Sequence, residues 1–310
     1  MRRLLKHLVL FSYDLAKSIG LLEWEPLRML TEKIYFIYKK YVESPHLGSL
    51  QPYVPPGTWV VDVGANIGFF SITALDWLDG AGRIIAIEPE PRNLERLEKH
   101  VGSRNTREKV EVIAAAATDR RGDRHLIVNE KHPGDNRLGD KGLKVRAETL
   151  DQLVADRGGV TVGLIKVDVQ GAEKIVLQGA EALLAKDHPA LFLEVDDRAL
   201  QEFGSSRYDL IQYLAIRGYV PHRLGPTGIT HLTEDELEAI PSDDYIDALF
   251  VWQSSPIRLV GGDDHDTIKG PDRTFHIGCD PIRVCCVRRQ RHRDRSAPGG
   301  PMAPRSEGGH

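Results

Sequence analysis

Short apolar segments rich in valine and isoleucine alternate with helical patterns over residues 54–253, and this alternation restricts the fold more than any other feature of the chain. Near-continuous apolar strands separated by helices are typical of a parallel sheet covered on both faces. The candidate strands are residues 58–63, 83–88, 110–115, 162–168, 190–195, 219–224 and 246–252, and the candidate helices are residues 69–78, 91–101, 173–184 and 208–217. The sequence therefore predicts a doubly wound α/β sheet.

Composition divides the chain into three segments. Residues 1–52 have helical periodicity, residues 53–254 carry the α/β pattern, and residues 255–310 lack apolar periodicity. We expect a helical extension, one α/β domain and a disordered tail. Between the third and fourth strands, residues 125–129 and 143–146 form a predicted hairpin around the polar loop 130–141. This loop is a candidate substrate-facing insertion, in which His132 and Asn136 could reach an acceptor.

Charge and cysteine content exclude several classes of protein. The 41 basic and 45 acidic side chains nearly balance, so no nucleic-acid partner is expected. Cys279, Cys285 and Cys286 lack the Cys-x-x-Cys spacing of a zinc site and form no disulfide framework for the core, which favours a reducing, cytoplasmic setting.

The N-terminal segment has no apolar run that approaches the roughly 18 residues of a membrane span. Residues 4–22 instead repeat apolar side chains at helical spacing, which predicts an amphipathic helix. Loose attachment of this helix to a membrane surface remains an open alternative. The helical region could also contribute to an acceptor lid or to a homodimer surface.

A glycine turn joins a predicted strand to a predicted helix at residues 60–70. Gly64 and Gly68 would let the backbone turn sharply and let a ligand approach closely. Glu88 ends the next strand about 20 residues later, where a carboxylate can accept both hydroxyls of an adenosine ribose. Asp62, at the end of the first strand, could receive the α-ammonium group of an amino-acid-like cofactor, and it would repel the pyrophosphate of a dinucleotide.

Two other functions have to be weighed. A nicotinamide-dependent oxidoreductase needs a glycine where Asn66 stands, and the Tyr-x-x-x-Lys pair at Tyr35 and Lys39 precedes the glycine turn, in the wrong order for a short-chain reductase. A non-catalytic cofactor-binding module is the second alternative. The joint presence of Asp62, Glu88 and Asp168 argues against it.

Three segments carry a resemblance to a known family: DVGANIG at residues 62–68, EPEPRN at residues 88–93 and IKVDVQGAE at residues 165–173. In these segments and their order, residues 54–253 resemble the FkbM-type methyltransferases. The resemblance implies a class I methyltransferase fold with seven strands and an antiparallel final pair. It also implies S-adenosylmethionine as donor and methyl transfer to a hydroxyl of a sugar, glycan or natural product. Gln170 departs from the family, which usually has glutamate there.

The resemblance also implies positions for the cofactor. Glu88 would hold the ribose, and residues 116–119 would border the adenine through Ala117 and Asp119. The glycine turn would hold the methionine part through Gly64, Ala65, Asn66 and Gly68.

Catalytic groups are expected at the carboxyl ends of the central strands, beside the cofactor. Asp168 is the first candidate for a general base or acceptor-orienting residue, and Glu194 is the second. Glu173 begins a helix, where a carboxylate serves the helix dipole as readily as catalysis. Asp168 and Glu194 could instead bind a divalent metal, but their spacing does not require one.

Overall fold

The computed structural model describes residues 24–253, except for residues 104, 105, 107, 130–134, 227 and 243. The predictions made for residues 1–23, for His132 and for the three cysteines lie outside the described residues. The division of the chain into three segments therefore stays a prediction.

Twelve strands in the described residues form two sheets. They are β1 (Trp59–Val63), β2 (Ile84–Ile87), β3 (Val110–Ile113), β4 (Ala116–Ala117), β5 (Gly122–Ile127), β6 (Arg137–Gly139), β7 (Leu143–Glu148), β8 (Val162–Val167), β9 (Ala190–Asp196), β10 (Tyr219–Gly225), β11 (Gly228–His231) and β12 (Tyr245–Trp252). The large sheet has the order β11-β10-β12-β9-β8-β1-β2-β3, and the small sheet has the order β4-β7-β5-β6.

Helices connect most strands of the large sheet. They are α1 (Glu25–Tyr38), α2 (Phe69–Ala74), α3 (Pro91–Ser103), α4 (Leu150–Ala155), α5 (Glu173–Gln178), α6 (Glu181–Asp187), α7 (Asp197–Glu202), α8 (Arg207–Ala215) and α9 (Glu234–Glu238). A π-helical turn (Lys39–Glu43) follows α1, and 3-10 segments occur at Leu47–Tyr53 and Leu75–Trp77. No helix in this described part of the chain is both long and apolar enough to cross a membrane.

The large sheet is buried on both faces because alternate residues of each strand enter different cores. Val61 and Val63 pack with α4, α5, α6 and α8 on one face. Val60 and Leu164 pack with α2 and α3 on the other. The doubly wound α/β arrangement predicted from the apolar pattern is therefore confirmed.

Strand directions agree with the expected class of fold. β3, β2, β1, β8 and β9 are parallel neighbours, and β12 runs antiparallel between β9 and β10. All seven predicted strands are present with ends shifted by at most two residues. The large sheet contains an eighth strand, because β11 continues from β10 as an antiparallel hairpin at the edge.

One predicted helix is wrong. The pattern over residues 173–184 predicts a single helix, but the chain forms two, α5 and α6, separated at Gly179 and Ala180. A side chain on Gly179 would collide with the carbonyl oxygen of Thr118, and the carbonyl of Gly179 accepts a hydrogen bond from Asp151. This close approach to neighbouring loops ends the helix where the apolar spacing alone would continue it.

Candidate active site

A cavity lies at the carboxyl ends of β1, β2 and β8, where ligands bind in open α/β sheets. The small sheet forms its opposite wall, since the predicted hairpin is present as β5 and β7 with β6 at its edge. The cavity is lined by Val63, Gly64, Asn66, Ile87, Glu88, Pro89, Asn93, Ala115, Ala116, Ala117, Leu126, Asn136, Arg137, Leu138, Asp168, Val169 and Ala172.

The glycine turn after β1 has the sharp backbone that the sequence predicts. Gly64, Asn66 and Gly68 all have positive φ, at +72°, +49° and +93°. Both glycines also lie very close to other parts of the protein. A Cβ on Gly64 would collide with the carbonyl oxygen of Asp168, and one on Gly68 would lie 2.7 Å from a methyl group of Leu97. The absence of a side chain at Gly64 therefore lets the loop after β8 pack against the turn after β1. The absence of one at Gly68 lets Leu97 of α3 pack against the same turn.

Glu88 lies in the cavity wall with its carboxylate held by the backbone. Its Oε2 accepts the N–H of Asn66 at 2.8 Å, and its Oε1 accepts the N–H of Glu90 at 3.0 Å. Burial raises the pKa of Glu88 to about 7, although these N–H donors and Asn93 favour the ionised form. A carboxylate fixed in this way can accept further hydrogen bonds from a diol in the cavity.

Asp62 does not line the cavity, so this geometry does not support its predicted contact with the cofactor, which stays a prediction. The side chain is fully buried on the face covered by α2. Its Oδ2 accepts the hydroxyl of Ser71 at 2.6 Å, and its Oδ1 lies 3.3 Å from the ammonium group of Lys166. Asp62 therefore forms an internal ion pair with Lys166.

Lys166 is the functional residue that the sequence reasoning missed. It pairs with Asp62 in the register of β1 and β8, and its ammonium donates to the carbonyl oxygen of Gly64 at 2.8 Å. The same ammonium lies 3.5 Å from a carboxylate oxygen of Asp168. Burial lowers the pKa of Lys166, but the carboxylates of Asp62 and Asp168 more than compensate, and the result is a pKa above the usual value. A lysine inside an apolar strand was the available signal.

Asp168 is the one predicted catalytic residue that lines the cavity. Its side chain is 39% exposed, and it is fixed from two sides by Lys166 and by the amide of Gln170, whose Nε2 lies 3.4 Å from Oδ1. Gln170 adopts a left-handed backbone conformation with φ +54°. Backbone strain of this kind is common at functional sites.

Glu194 lies behind Asp168 and does not line the cavity. Its Oε2 accepts the side-chain N–H of Gln170 at 3.0 Å. Burial first, and then the nearby carboxylates of Asp168 and Asp247, raise the pKa of Glu194 to about 9. Glu194 therefore supports Asp168 through Gln170, which contacts both carboxyl groups.

Glu173 is buried beneath the loop after β8, away from the cavity lining. Its Oε1 accepts the backbone N–H groups of Val169 and Gly171, at 3.2 Å and 3.1 Å. Burial raises its pKa to about 7. Of the two roles left open by the sequence, the geometry supports the structural one, since this carboxylate organises the loop that carries Asp168.

The end of the cavity beyond Glu88 is lined by small and apolar side chains. Ala115, Ala116 and Ala117 form one wall, and Leu126 of the small sheet faces them across the cavity. Asp119 is not part of the lining: its carboxylate is exposed and lies near Arg120 and Arg124. Its predicted contact with the cofactor therefore stays a prediction, and this geometry does not support it.

Several remaining predictions have simple outcomes in the structure. Asn136 lines the cavity, and its Oδ1 accepts the backbone N–H of Asn129. Ala65 is buried in the glycine turn, outside the cavity lining, and its N–H donates to the carbonyl of Ile87. Within the described residues, no group of three or more His, Cys, Asp or Glu side chains is arranged to hold a metal ion.

The fold and the site together define a class of protein. A sheet with β12 inserted antiparallel beside β10, a glycine turn after β1 and a carboxylate after β2 are the features of a class I methyltransferase. The family model described as "Methyltransferase FkbM domain" matches residues 62–221, slightly more than half of the chain. The chain therefore belongs to the FkbM methyltransferase family.

Individual relatives match only parts of the chain. The AMB antimetabolite synthetase AmbE of Pseudomonas aeruginosa is 30% identical, in an alignment that covers 47% of this chain and 9% of that protein. The crystal structure of methyltransferase FkbM from Methylobacillus flagellatus has 21% identity and a TM-score of 0.41, and the match covers 64% of this chain and 44% of that one. An O-methyltransferase from Bacillus cereus has 10% identity and a TM-score of 0.39, with 67% and 79% covered.

Proposed function

We propose that this protein transfers the methyl group of S-adenosylmethionine to a hydroxyl oxygen of a sugar, glycan or natural-product acceptor. The observation that carries the proposal is that Glu88 and Asp168 line one cavity at the carboxyl edge of the sheet. The first carboxylate suits the ribose of the donor, and the second suits an acceptor hydroxyl. Membership in a methyltransferase family supports methyl transfer over the hydride transfer of the nicotinamide alternative.

The residues of the cavity fit the donor by their chemistry. Glu88 would accept the ribose hydroxyls, since its carboxylate is already oriented by two backbone N–H groups. The three alanines at residues 115–117 and Leu126 leave an apolar slot that suits a flat base. Gly64 and Asn66 would border the amino-acid part.

Asp168 would act on the acceptor. When bound, S-adenosylmethionine supplies an activated methyl group on a sulfonium. A hydroxyl that attacks this methyl group must lose its proton, and a positioned carboxylate can orient the hydroxyl and accept that proton. Lys166 and Gln170 hold the two oxygens of Asp168 in place, so the carboxylate is preorganised before the acceptor arrives.

Hydroxyl methylation is tested by supplying S-adenosylmethionine with an isotopically labelled methyl group. Labelled donor is incubated with candidate sugars, glycans and natural-product alcohols, and with cell extract, and products are analysed by mass spectrometry. We expect label in an ether formed on a hydroxyl oxygen. Label found only on nitrogen or carbon would refute the proposed acceptor, and a thermal shift with NAD but none with S-adenosylhomocysteine would refute the donor.

A matched pair of variants connects the product to the site. Asp168→Asn should largely abolish formation of the labelled product, whereas Asp119→Asn, which changes an exposed carboxylate outside the cavity, should leave it intact. Equal loss of product in both variants would show that the activity does not depend specifically on Asp168.

We also propose a cytoplasmic location, which the three late cysteines support because they give no disulfide framework to the core.

A further inference from the structure

Helix α1 presents a stripe of apolar side chains to solvent. Leu30, Ile34, Ile37 and Tyr41 follow one another at intervals of four, three and four residues, so they lie along one side of the helix and the turn after it. Their exposed fractions are 51%, 47%, 60% and 66%. We refer to these four residues as the α1 stripe.

The opposite side of α1 attaches the helix to the domain through polar and aromatic contacts. Glu32 is buried there, 2.7 Å from Arg96 and 2.8 Å from His100. Phe36 stacks on Phe69, with ring centroids 5.9 Å apart. A surface helix normally turns its apolar face to the core and its polar face to water. Because α1 does the reverse, its outer face has the character of an interaction surface.

Basic and aromatic residues border the α1 stripe. Lys33 and Lys40 are exposed, and the ammonium group of Lys40 lies 5.7 Å from the ring centre of Tyr41. Trp24, 67% exposed, precedes α1, and Tyr41, 66% exposed, follows it, so an exposed aromatic ring lies just beyond each end of the helix. Aromatic rings at the ends and lysines along the side are typical of a helix that lies in the headgroup region of a membrane.

The segment that carries the α1 stripe has a positive net charge. Residues 1–41 contain eight basic and four acidic side chains, whereas the whole chain has a net charge of −4. The segment that carries the stripe is thus basic, although the chain as a whole is acidic. The sequence of residues 4–22 repeats apolar side chains at helical spacing and is accompanied by Arg2, Arg3, Lys6 and Lys17.

We propose that the outer face of α1 binds the surface of a bilayer that contains anionic lipid. The stripe enters the headgroup region, and Lys33 and Lys40 contact the lipid phosphates. The helix lies on the membrane and does not cross it. Helix α1 is also connected to the glycine turn of the candidate site. Glu32 of α1 contacts His100, and His100 lies 2.7 Å from the carbonyl oxygen of Ile67 in that turn.

The test is flotation of the full chain with vesicles. Vesicles of phosphatidylcholine alone are compared with vesicles of phosphatidylcholine and phosphatidylglycerol, at low and high salt. We expect binding to the anionic vesicles that weakens with salt. Ile34→Glu should reduce binding by about tenfold or more, and Lys33→Gln and Lys40→Gln by about fivefold each.

The control is Ile216→Glu, which replaces an isoleucine that is 73% exposed and outside the stripe. It should bind vesicles as the unchanged protein does, and all variants should keep the same thermal unfolding curve. Absence of binding to anionic vesicles would overturn the proposal. So would a dimer that Ile34→Glu dissociates, because a second copy would then cover the stripe.

Discussion

Donor binding should depend on pH because burial raises the pKa of Glu88 to about 7. Ribose hydroxyls donate hydrogen bonds to the ionised carboxylate, so binding favours the deprotonated form and releases a proton. Affinity should therefore fall as the pH is lowered through 7. An ordinary glutamate, with a pKa near 4.3, would already be ionised throughout this range and would give no such dependence.

The size of the effect follows from the ionised fraction. With a pKa of about 7, that fraction falls from about nine-tenths at pH 8 to about one-tenth at pH 6. The dissociation constant should rise about tenfold over this interval, which corresponds to about 1.4 kcal/mol. Close to one proton should be released per binding event at pH 6, and almost none at pH 8.

Isothermal titration calorimetry with S-adenosylhomocysteine measures both quantities, when each pH is studied in two buffers of different ionisation enthalpy. The α-amino group of the ligand also titrates near this range. Glu88→Gln provides the control, because any pH dependence that remains in this variant belongs to the ligand. If the unchanged protein and Glu88→Gln had the same pH dependence, the contact between Glu88 and the ribose would be refuted.

Three further variants test other parts of the site. Asp168→Asn should lower the turnover rate by about 10²–10⁴ without changing S-adenosylhomocysteine affinity, and unchanged steady-state rates would refute its role. Lys166→Met should lower the free energy of unfolding by about 3–5 kcal/mol, because Asp62 would stay buried without its cation. The double variant with Asp62→Asn should regain most of that stability in denaturant titrations, and additive losses would contradict the pairing. Gly64→Ala should reduce the melting temperature far more than Gly48→Ala, because a Cβ added at Gly48 would meet no atom within 4 Å. Equal reductions in melting temperature would contradict this steric argument.

The sequence predicts the large sheet well because its strands are buried on both faces. Their apolar runs are nearly continuous, and glycine turns or helical patterns bound them. The edge strand β11 has no such signal. Its residues Gly228, Ile229, Thr230 and His231 are only partly buried or exposed, so the apolar pattern that reveals the central strands is absent.

Asp62 shows why a residue's place in the sequence does not fix its surroundings. It follows Val61 in β1, and consecutive strand residues point to opposite faces. Val61 enters the core with α5, whereas Asp62 points to the face beneath α2, where Ser71 meets it. Its cation comes from Lys166, more than a hundred residues later, and only the pairing register of two strands brings the two together.

The cavity wall opposite the large sheet was predicted only in part: loop 130–141 was expected to face a substrate, and its residues Asn136 and Arg137 line the cavity. The hairpin itself was predicted, since its two strands flank a polar loop. Its position over the cavity depends on a short parallel pairing between Ala116 and Ala147, which carries no strong local pattern. Leu126 therefore enters the cavity lining through a sheet contact that residue types alone do not reveal.

Lys166, buried in β8, also affects which charge the site prefers in a bound ligand. Lys166 balances one of the two carboxylates beside it, Asp62 and Asp168, so this group of three retains one negative charge. Such surroundings attract a sulfonium more strongly than an uncharged thioether. The charge of this group therefore favours a sulfonium ligand over its uncharged product.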